Sequence, residues 1–409
     1  MSANVGQNKR LAVQMEALAK QLAATAKTLR ANPDSPIFHQ DSAKVIESAE
    51  ELVRDMKQPL ARLLDDAAVM TQFGALRLFI KWKIFEKIPS EGSVSYKELA
   101  DGLKADTALI ARLGACLVAN KILNEVQPGR VAHTALSTGF IPPKSPLSAL
   151  ACLSFDFHFK AVVELPAYFD TFGLGEPSSK YNTAVAFAMG DASMSIWDHL
   201  NRDPEFMSIF MVAMAAIASV MPTVGDYKFD WVVSKASDAP SRPLVVDVGG
   251  SKGHALQAIH DATPGLDMSR CVVEDLKPVV EEAKAIATGA LRDAQFVSLD
   301  FHTEQPVKGA LVYYIRRCLH DYGDDDCVDI LQRISEAMES DSRLLIVEMV
   351  MRTPASVLSV TNDIIMATLG GKERDLDGFK TILGRAGLEV AEMLRTEGTD
   401  FAIIECRKV

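Results

Sequence analysis

The sequence lacks paired cysteines and any spacing of residues that is typical of a metal site. Its six cysteines are far apart, with no CxxC pair and no zinc-type arrangement of cysteine and histidine. We therefore expect no disulfide framework and no bound metal, and reduced thiols favour a cytoplasmic protein. The cysteines are Cys116, Cys152, Cys271, Cys318, Cys327 and Cys406.

The chain also lacks an excess of positive charge and a long apolar run. Its 409 residues carry a net charge of -11, which argues against a general nucleic-acid-binding protein. The first residues, MSANVGQNKRLAVQ, contain no apolar core of a signal peptide. The most apolar stretch, Phe206–Met221, is too short to span a bilayer, so we expect a buried helix and no membrane association.

The N-terminal residues 8–31 have the pattern of a helix with one narrow apolar stripe. The stripe consists of Leu11, Met15, Leu18, Leu22 and Leu29. No obvious mate for it follows in the chain. Packing on a second subunit and docking of an N-terminal arm are both consistent with this pattern.

Residues 73–141 predict three helices followed by a β-hairpin. SVSYKELADGL has a serine at a helix start, TALIARLGACLVANKIL is amphipathic, and NEVQPGRVAHT is typical of a hairpin. This order is typical of a winged helix, a fold that often binds DNA. The expected recognition helix carries only Arg112, so we do not expect DNA binding. We assign residues 1–150 to a helical, winged-helix domain and residues 151–409 to a second domain.

Residues 151–240 predict a helical segment that is rich in phenylalanine and methionine. Such a composition lines a pocket for a flat organic ligand or fills a plain core. His158 lies among three phenylalanines in SFDFHFK, where a substrate contact and a satisfied core histidine are equally open readings. For Trp197, packing is the alternative to a ligand contact.

From residue 243 onward, predicted strands alternate with predicted helices. LVVDVGG, CVVEDL and RLLIVEMV are typical strands, and HALQAIHDAT and PVVEEAKAIA are typical helices. This alternation predicts an α/β fold with a doubly wound, mainly parallel sheet. The final FAIIECRKV is expected to lie beside its neighbour as an antiparallel edge hairpin.

The first turn of this sheet, DVGGSKGH, has the composition of a nucleotide-type site. Gly249, Gly250 and Gly253 open the next helix and let a ligand approach backbone N–H groups. Asp275 ends the second strand, where an acid can bind ribose hydroxyls. An acid at Asp247 repels a pyrophosphate but suits the cationic amino-acid end of S-adenosylmethionine (SAM).

Two further strand ends carry residues that suit ligand binding or catalysis. SLDF presents Asp300 and Phe301, an acid and a ring that match the edge and face of adenine, although Asp300 is also a good helix cap. YYIRRCLHDYGDD places His320 and Asp321 just beyond an apolar strand. Histidine titrates near neutrality and suits a general base, and a capped surface residue is the alternative.

Four stretches together resemble the small-molecule O-methyltransferases of the plant caffeate type and their fungal secondary-metabolism relatives. They are VVDVGGSKGH, VVEDLKP, YYIRRCLHDYGDD and GGKERDLDGFKTILGRAGLE. The resemblance implies a Rossmann-like SAM-binding domain that follows an α-helical dimerisation domain. It also implies a homodimer that methylates a hydroxylated aromatic secondary metabolite.

The resemblance implies a role for individual residues. His320 falls on the catalytic histidine, and Glu348 and Glu373 fall on the carboxylates that orient it. Arg316 falls on a basic cofactor contact, although the plant pattern has lysine there. The other cofactor contacts are Asp247, Gly249, Gly250, Gly253, Asp275, Asp300 and Phe301. The expected substrate pocket consists of His158, Met194, Trp197, Asn362, Asp363 and Met366. For Asn362 and Asp363, solvation of a helix face is the alternative.

The leporin-type pericyclases share this resemblance and give the rival hypothesis. They keep SAM as a bound cation and catalyse dehydration or cyclisation of pyridone polyketides without methyl transfer. Their catalytic histidine is replaced by arginine or lysine, so His320 favours methyl transfer. His158 points the other way, since with SAM and Arg317 it would give a positive pocket that polarises a carbonyl. A third class, an inactive SAM-sensing partner protein, need not keep His320, Glu348 and Glu373.

Overall fold

The computed structural model describes residues 2–31, 37–141, 145–219, 221–396 and 398–409. The chain divides into two units, Met1–Pro143 and Lys144–Val409. Residue 150, which we chose as the domain boundary, lies inside the first helix of the second unit. The dimerisation and catalytic roles of the two parts stay predictions.

Two long helices begin the first unit. Helix α1 (Ser2–Ala31) packs against helix α2 (Ile37–Met56). Arg10 and Asp55 form an ion pair between them, and Gln14 Nε2 donates a hydrogen bond of 3.0 Å to the same carboxylate. Helix α2 is thus a mate for α1 within the chain, and it was not obvious because a single sequence does not show which later helix folds back on α1. Packing of α1 on a second subunit stays a prediction.

The rest of the first unit has the predicted order of helices and hairpin. Ser95 and Glu98 form a capping box at the start of α4, which explains where that helix begins. The rings of Phe79, Phe85 and Phe140 pack in series in the core. The helices are α3 (Pro59–Lys81), α4 (Tyr96–Leu103), α5 (Thr107–Ala119) and α6 (Ala135–Thr138). The strands β1 (Val94–Ser95), β2 (Leu123–Gln127) and β3 (Arg130–His133) form an antiparallel sheet in the order β1-β3-β2. That this arrangement is a winged helix stays a prediction.

The second unit opens with a helical segment. Pro146–Phe172 is one continuous helical stretch, and it is long and apolar enough in composition to cross a membrane. Here Leu153, Phe157 and Ala161 pack instead in a core cluster with Val185 and Ala213. The segment contains α7 (Pro146–Leu153), a π-helical turn (Ser154–Phe159), α8 (Lys160–Phe172), α9 (Ala184–Ala188), α10 (Ile196–Arg202), α11 (Pro204–Ser219) and α12 (Asp230–Ala236).

A doubly wound sheet forms the centre of the second unit. Its strands are β4 (Val245–Val248), β5 (Cys271–Asp275), β6 (Gln295–Ser298), β7 (Val312–Arg316), β8 (Arg343–Met351), β9 (Arg374–Asp375), β10 (Leu388–Arg395) and β11 (Phe401–Lys408). Its helices are α13 (His254–Ala262), α14 (Lys277–Ile286), α15 (Asp324–Ala337), α16 (Val357–Leu369) and α17 (Leu376–Arg385). Seven strands follow the order β6-β5-β4-β7-β8-β11-β10, and β9 pairs with β8.

The end of the sheet is an antiparallel hairpin, as expected. FAIIECRKV forms β11, which pairs antiparallel with β8 on one side and with β10 on the other. Strand β10 takes the edge position, and the sequence analysis did not predict it. Its sequence, LEVAEMLR, does not alternate regularly between apolar and polar residues, and it contains two glutamates and an alanine, which strands do not favour.

The strand order places the candidate residues at the carboxyl ends of neighbouring strands in the middle of the sheet. Strand β4 pairs in parallel with both β5 and β7, so the chain leaves it on one side and returns on the other. Ligands of doubly wound folds bind at this switch point, beyond the carboxyl ends of the strands. Asp247 lies in β4, Asp275 ends β5 and Arg316 ends β7.

Candidate active site

The glycine-rich turn connects β4 to α13 and brings backbone close to side chains. Gly249 and Gly253 have positive φ angles of 69° and 77°. A Cβ atom on Gly250 would lie 2.6 Å from the Asp247 carboxyl group, a distance that no real side chain tolerates. The turn therefore needs glycine at this point, because the Asp247 carboxyl group occupies the space that a side chain would fill.

Asp247 is a buried acid without a complete set of partners. It is 1% exposed, and its Oδ2 atom has no hydrogen-bond partner. Burial raises the pKa of its carboxyl group to about 7, against the opposing charge of Arg316. A buried acceptor without a partner is uncommon in folded proteins and fits a site that receives a donor from a ligand.

Asp275 lies beside the same turn. Its Oδ2 atom accepts a hydrogen bond of 2.8 Å from Ser251 N, and its Oδ1 atom accepts one of 2.7 Å from Leu276 N. Burial raises the pKa of this carboxyl group. Asp275 follows Ser251 by 24 residues in the sequence, and the structure brings its carboxylate to the glycine turn. A site for ribose hydroxyls needs an acid at this position.

Phe301 lies next to the turn, and Asp300 forms a local turn of its own. A Cβ atom on Gly249 would lie 3.6 Å from the Phe301 ring, which stands at 90° to the ring of Tyr322. Asp300 is exposed, and its Oδ1 atom accepts a hydrogen bond of 3.0 Å from His302 N. Its side chain therefore satisfies local backbone, which agrees with the capping alternative, and a cofactor contact stays a prediction.

Arg316 is occupied by backbone carbonyl groups. Its guanidinium donates hydrogen bonds of 3.0–3.2 Å to the carbonyl oxygens of Ala218, Met221 and Pro222. It fixes the chain after α11 against the end of β7, and its charge acts on Asp247. A direct contact of Arg316 with a cofactor stays a prediction.

His320 lies at the centre of a buried cluster of carboxylates. Its Nδ1 atom is 2.9 Å from Glu373 Oε1 and 3.9 Å from Glu348 Oε2. Its Nε2 atom is 3.6 Å from Asp321 Oδ1, which is beyond hydrogen-bond distance. The structure therefore brings His320, Glu348 and Glu373 together, and the contact with Glu373 holds the proton on Nδ1 and leaves Nε2 available.

The carboxylates decide the charge of His320. Burial alone favours the neutral imidazole, but the charges of Glu348, Asp321 and Glu373 outweigh it and raise the pKa of His320 to about 10. The raised pKa favours the imidazolium at neutral pH, so Nε2 can accept a proton only in the fraction of the protein whose ring is neutral. Glu348 itself is fixed by backbone, since its Oε1 atom accepts hydrogen bonds of 2.9 and 3.0 Å from Cys318 N and Leu319 N.

A tight turn after α16 carries Glu373 to His320. A Cβ atom on Gly371 would lie 2.1 Å from the carbonyl oxygen of His320, so only glycine lets the two segments approach this closely. Lys372 N donates a hydrogen bond of 2.8 Å to that same carbonyl oxygen. Gly371 thus explains how Glu373, 53 positions along the chain, reaches the imidazole of His320.

Arg374 is a supporting residue that the sequence analysis did not single out. It is buried, and its guanidinium donates to the carbonyl oxygens of Leu319 and Tyr322 and to Asp324 Oδ1. These bonds anchor the loop on both sides of His320. The signal was present in the sequence, because Arg374 follows Glu373 directly in the quoted GGKER motif.

Asn362 and Asp363 contact the turn that carries Glu373. Asn362 Nδ2 donates a hydrogen bond of 2.5 Å to Glu373 Oε1, and Asp363 Oδ1 accepts one of 2.9 Å from Glu373 N. Both residues therefore hold Glu373 in place, and a substrate contact of either residue stays a prediction.

The remaining pocket candidates have different environments. Met194 and Met366 are buried, whereas Trp197 is exposed and its ring packs edge-on against Phe210 at 5.8 Å. Trp197 thus has the packing contact that was its alternative reading. His158 lies in the π-helical turn, its Nδ1 atom is buried without a partner, and burial lowers its pKa to about 4. It is not a satisfied core histidine, and a substrate contact stays a prediction.

Within the ranges that the structure describes, no group of three or more histidine, cysteine, aspartate or glutamate side chains is arranged to hold a metal ion. The described cysteines are all free thiols.

Comparison with known proteins places the chain in a family. The family model of the O-methyltransferase domain matches residues 172–389. The chain is 36% identical to methyltransferase cfoD of Aspergillus candidus over 373 residues, which cover 89% of this chain and 92% of that protein. It is 36% identical to methyltransferase eqxD of Fusarium heterosporum over 336 residues, which cover 82% and 92%.

Solved structures agree on the fold. OxaC superposes with a TM-score of 0.80 at 24% identity, and LepI in complex with SAM with 0.79 at 22% identity. Each comparison covers 97% of this chain and 100% of the other, and at these identities it shows the fold alone. The mitomycin 7-O-methyltransferase MmcR has 26% identity and a TM-score of 0.69 over 90% of this chain and 99% of that one. The resemblance and the predicted fold class are thereby confirmed: the chain belongs to the family of SAM-dependent O-methyltransferases.

Proposed function

We propose that this protein transfers a methyl group from SAM to a hydroxyl oxygen of an aromatic small molecule, with His320 as the general base. One observation carries the proposal. Among the described residues, Nδ1 of His320 contacts Glu373 at 2.9 Å, whereas Nε2 makes no hydrogen bond. This is the arrangement of a base whose tautomer is fixed by a carboxylate and whose second nitrogen serves the substrate.

The cofactor site follows from the residues around the glycine turn. The unpartnered Asp247 Oδ2 atom offers an acceptor to a cationic ammonium group, and Asp275 offers carboxylate oxygens to ribose hydroxyls. Phe301 offers an aromatic face beside Gly249. When bound, SAM supplies an electrophilic methyl group on a cationic sulfur.

The proton of the substrate determines what His320 has to do. A phenol has a pKa of about 10, so its hydroxyl group must lose a proton as the oxygen attacks. That proton moves to Nε2 of His320, while the N–H group at Nδ1 keeps its hydrogen bond to Glu373. Glu348, Asp321 and Glu373 then stabilise the imidazolium that results.

We expect His320→Ala to abolish most methyl transfer and to leave cofactor affinity unchanged. Loss of a general base lowers the rate by about 10²–10⁴-fold, whereas the cofactor contacts lie elsewhere. Turnover is measured with methyl-labelled SAM and product mass, and SAM affinity by calorimetry. His260→Ala, on helix α13, is the control. Turnover of His320→Ala near the parent rate would exclude the general-base role.

We expect the rate of methyl transfer to rise with pH. His320 accepts a proton only as the neutral imidazole, and its pKa of about 10 keeps that form scarce at pH 7. The rate at saturating substrate is therefore expected to rise about tenfold per pH unit and to level off near the pKa of His320. Asp321→Asn removes one charge that raises this pKa, so its plateau is expected at lower pH. A flat profile from pH 6 to 9 in the parent protein would contradict this account.

We expect Asp275→Ala to weaken SAM binding by about tenfold, the order typical of one charge-assisted hydrogen bond. The variant loses its carboxylate for ribose hydroxyls and its bond to Ser251 N. Calorimetric titration with SAM measures the change, and Asp293→Ala, an exposed acid beyond α14, is the control. An unchanged affinity would remove Asp275 from the cofactor site.

A pericyclase is the second candidate function, because of the charge on His320. An imidazolium at neutral pH, with the guanidinium of Arg317 nearby in sequence, could polarise a substrate carbonyl. A solved structure described as a pericyclic reaction enzyme has a TM-score of 0.79 with this chain, at 22% identity. Incubation with methyl-labelled SAM and an extract of biosynthetic intermediates separates the two. A labelled, heavier product supports methyl transfer, and an unlabelled isomer or dehydrated product supports the pericyclase.

We also propose a cytoplasmic homodimer. The free thiols suit a reducing compartment. Helix α3 presents an apolar face, on which Leu60, Leu63 and Leu64 are 71%, 67% and 62% exposed in the single chain. Burial against a second copy would remove this apolar surface from water.

We expect light scattering to give twice the mass of one chain. Replacing Leu60, Leu63 and Leu64 with glutamine is expected to give a monomer, because the apolar face is lost. Glutamine at the exposed Leu174, in the second unit, is the control. A parent protein with the mass of one chain would contradict the dimer.

A further inference from the structure

Arg317 differs from the neighbouring arginines in its side-chain contacts. Among the described residues its side chain donates no hydrogen bond and forms no ion pair, and its Nε atom is buried. The neighbouring Arg316 donates to three carbonyl groups, and Arg374 donates to carbonyl groups and to Asp324. A half-buried guanidinium with five donors normally has acceptors, so Arg317 lacks what its neighbours have.

The place of Arg317 in the fold connects it to the catalytic cluster. Its backbone N donates a hydrogen bond of 3.1 Å to the carbonyl oxygen of Val347, the residue before Glu348. It precedes Cys318 and Leu319, whose N–H groups hold Glu348. Arg317 thus lies three residues before His320, on the segment that builds the site.

Electrostatic effects on the carboxylates also place the charge of Arg317 near the catalytic cluster. Burial raises the pKa of Glu348, and the charges of His320 and Arg317 both lower it. Burial raises the pKa of Asp321 as well, and the same two charges lower it. Water screens the Asp321 side chain, which is 45% exposed, so the effect on the buried Glu348 is the better indication of where the charge lies. The guanidinium therefore lies within electrostatic range of the carboxylates that surround the imidazole.

The backbone of Arg317 is held in an unfavourable conformation. Its φ angle is 55°, in the left-handed region that residues other than glycine, asparagine and aspartate seldom adopt. Strain of this kind persists where the surrounding structure enforces it, and it clusters at ligand sites. Here it turns the chain between β7 and the loop that carries His320.

The glutamates of the cluster make no direct contact with this guanidinium. Glu348 Oε1 is held by two backbone N–H groups, and Glu373 Oε1 is held by His320 and Asn362. Neither forms an ion pair with Arg317. A planar fork of donors is well matched to a carboxylate or to another delocalised oxyanion.

We propose that Arg317 binds an oxyanion of the substrate, either a carboxylate or the anion of an acidic enol, beside the oxygen that His320 deprotonates. This inference rests on the proposed function and names its substrate class. The substrate is then an organic acid that is already ionised at neutral pH, and Arg317 selects it over neutral molecules of the same shape.

Calorimetric binding with S-adenosylhomocysteine present tests this inference apart from turnover. The first pair of probes is 3,4-dihydroxybenzoate and its neutral amide, which report on a carboxylate. The second pair is 4-hydroxycoumarin, an acidic enol, and 7-hydroxycoumarin, a weaker acid. We expect the parent protein to bind the anionic member of at least one pair about tenfold more tightly. The pair that shows the preference identifies the oxyanion.

The variants decide whether Arg317 is the cause. Arg317→Asn removes the charge and tolerates a left-handed backbone, so it is expected to fold and to lose the preference. Arg317→Lys keeps the charge and is expected to keep part of the preference. Arg385→Asn, an exposed arginine that pairs with Asp325, is the control and is expected to match the parent protein.

Several results would overturn the proposal. Equal binding of the members of both pairs by the parent protein would show a neutral aromatic contact, and failure of both anionic probes to bind at millimolar concentration would count against the subsite. A preference that survives in Arg317→Asn would exclude Arg317. If Arg317→Asn instead weakens binding of S-adenosylhomocysteine, Arg317 holds the cofactor carboxylate. If Arg317→Asn loses the preference for the anionic probe but the parent protein transfers no methyl group in any assay, the proposed function is refuted and the oxyanion subsite at Arg317 is supported.

Discussion

The hydrogen bond between Glu373 and His320 is the constraint on which the rest of the site depends. It joins two segments that are 53 residues apart, and it exists because Gly371 lets its turn lie against the His320 carbonyl group. Arg374 anchors the loop that carries His320 by donating a hydrogen bond to the Leu319 carbonyl oxygen. Asn362 donates a second hydrogen bond to the Glu373 oxygen that contacts His320. Without these contacts the imidazole would have no fixed tautomer and no fixed direction for Nε2.

The same contacts set the electrostatics of the site. Glu348 and Glu373 are buried with one oxygen each that has no partner, so negative charge is concentrated around a single imidazole. Removing carboxylates from water is unfavourable unless a cation compensates them, and His320 serves as that cation. The raised pKa of His320 therefore favours a protonated imidazole at neutral pH, and a substrate meets a site that is rich in charge. This also explains why one arrangement suits both a base that acts at high pH and a group that polarises a carbonyl.

Much of the fold and part of the site could be predicted from the sequence, for identifiable reasons. Apolar runs such as VVDV and LLIVEMV, with glycines and acids at their ends, are local signals, and the parallel strands appeared where those signals lie. Strand β10 and the pairing of α1 with α2 depend on contacts between distant segments, which a local pattern does not carry. In the same way, the sequence showed that Asn362 is polar but not that its amide binds Glu373, and it did not show that Arg317 has no partner.

The protonation state of His320 is the most direct measure of this account. The imidazole C–H signals of the protein can be followed by NMR from pH 5 to 11, and the signal of His320 can be assigned from its absence in His320→Gln. The carboxylate cluster predicts a pKa well above the ordinary value of about 6.5 and a fall toward that value in Glu373→Gln. A pKa at or below the ordinary value in the parent protein would contradict the account, because the carboxylates would then not control the imidazole.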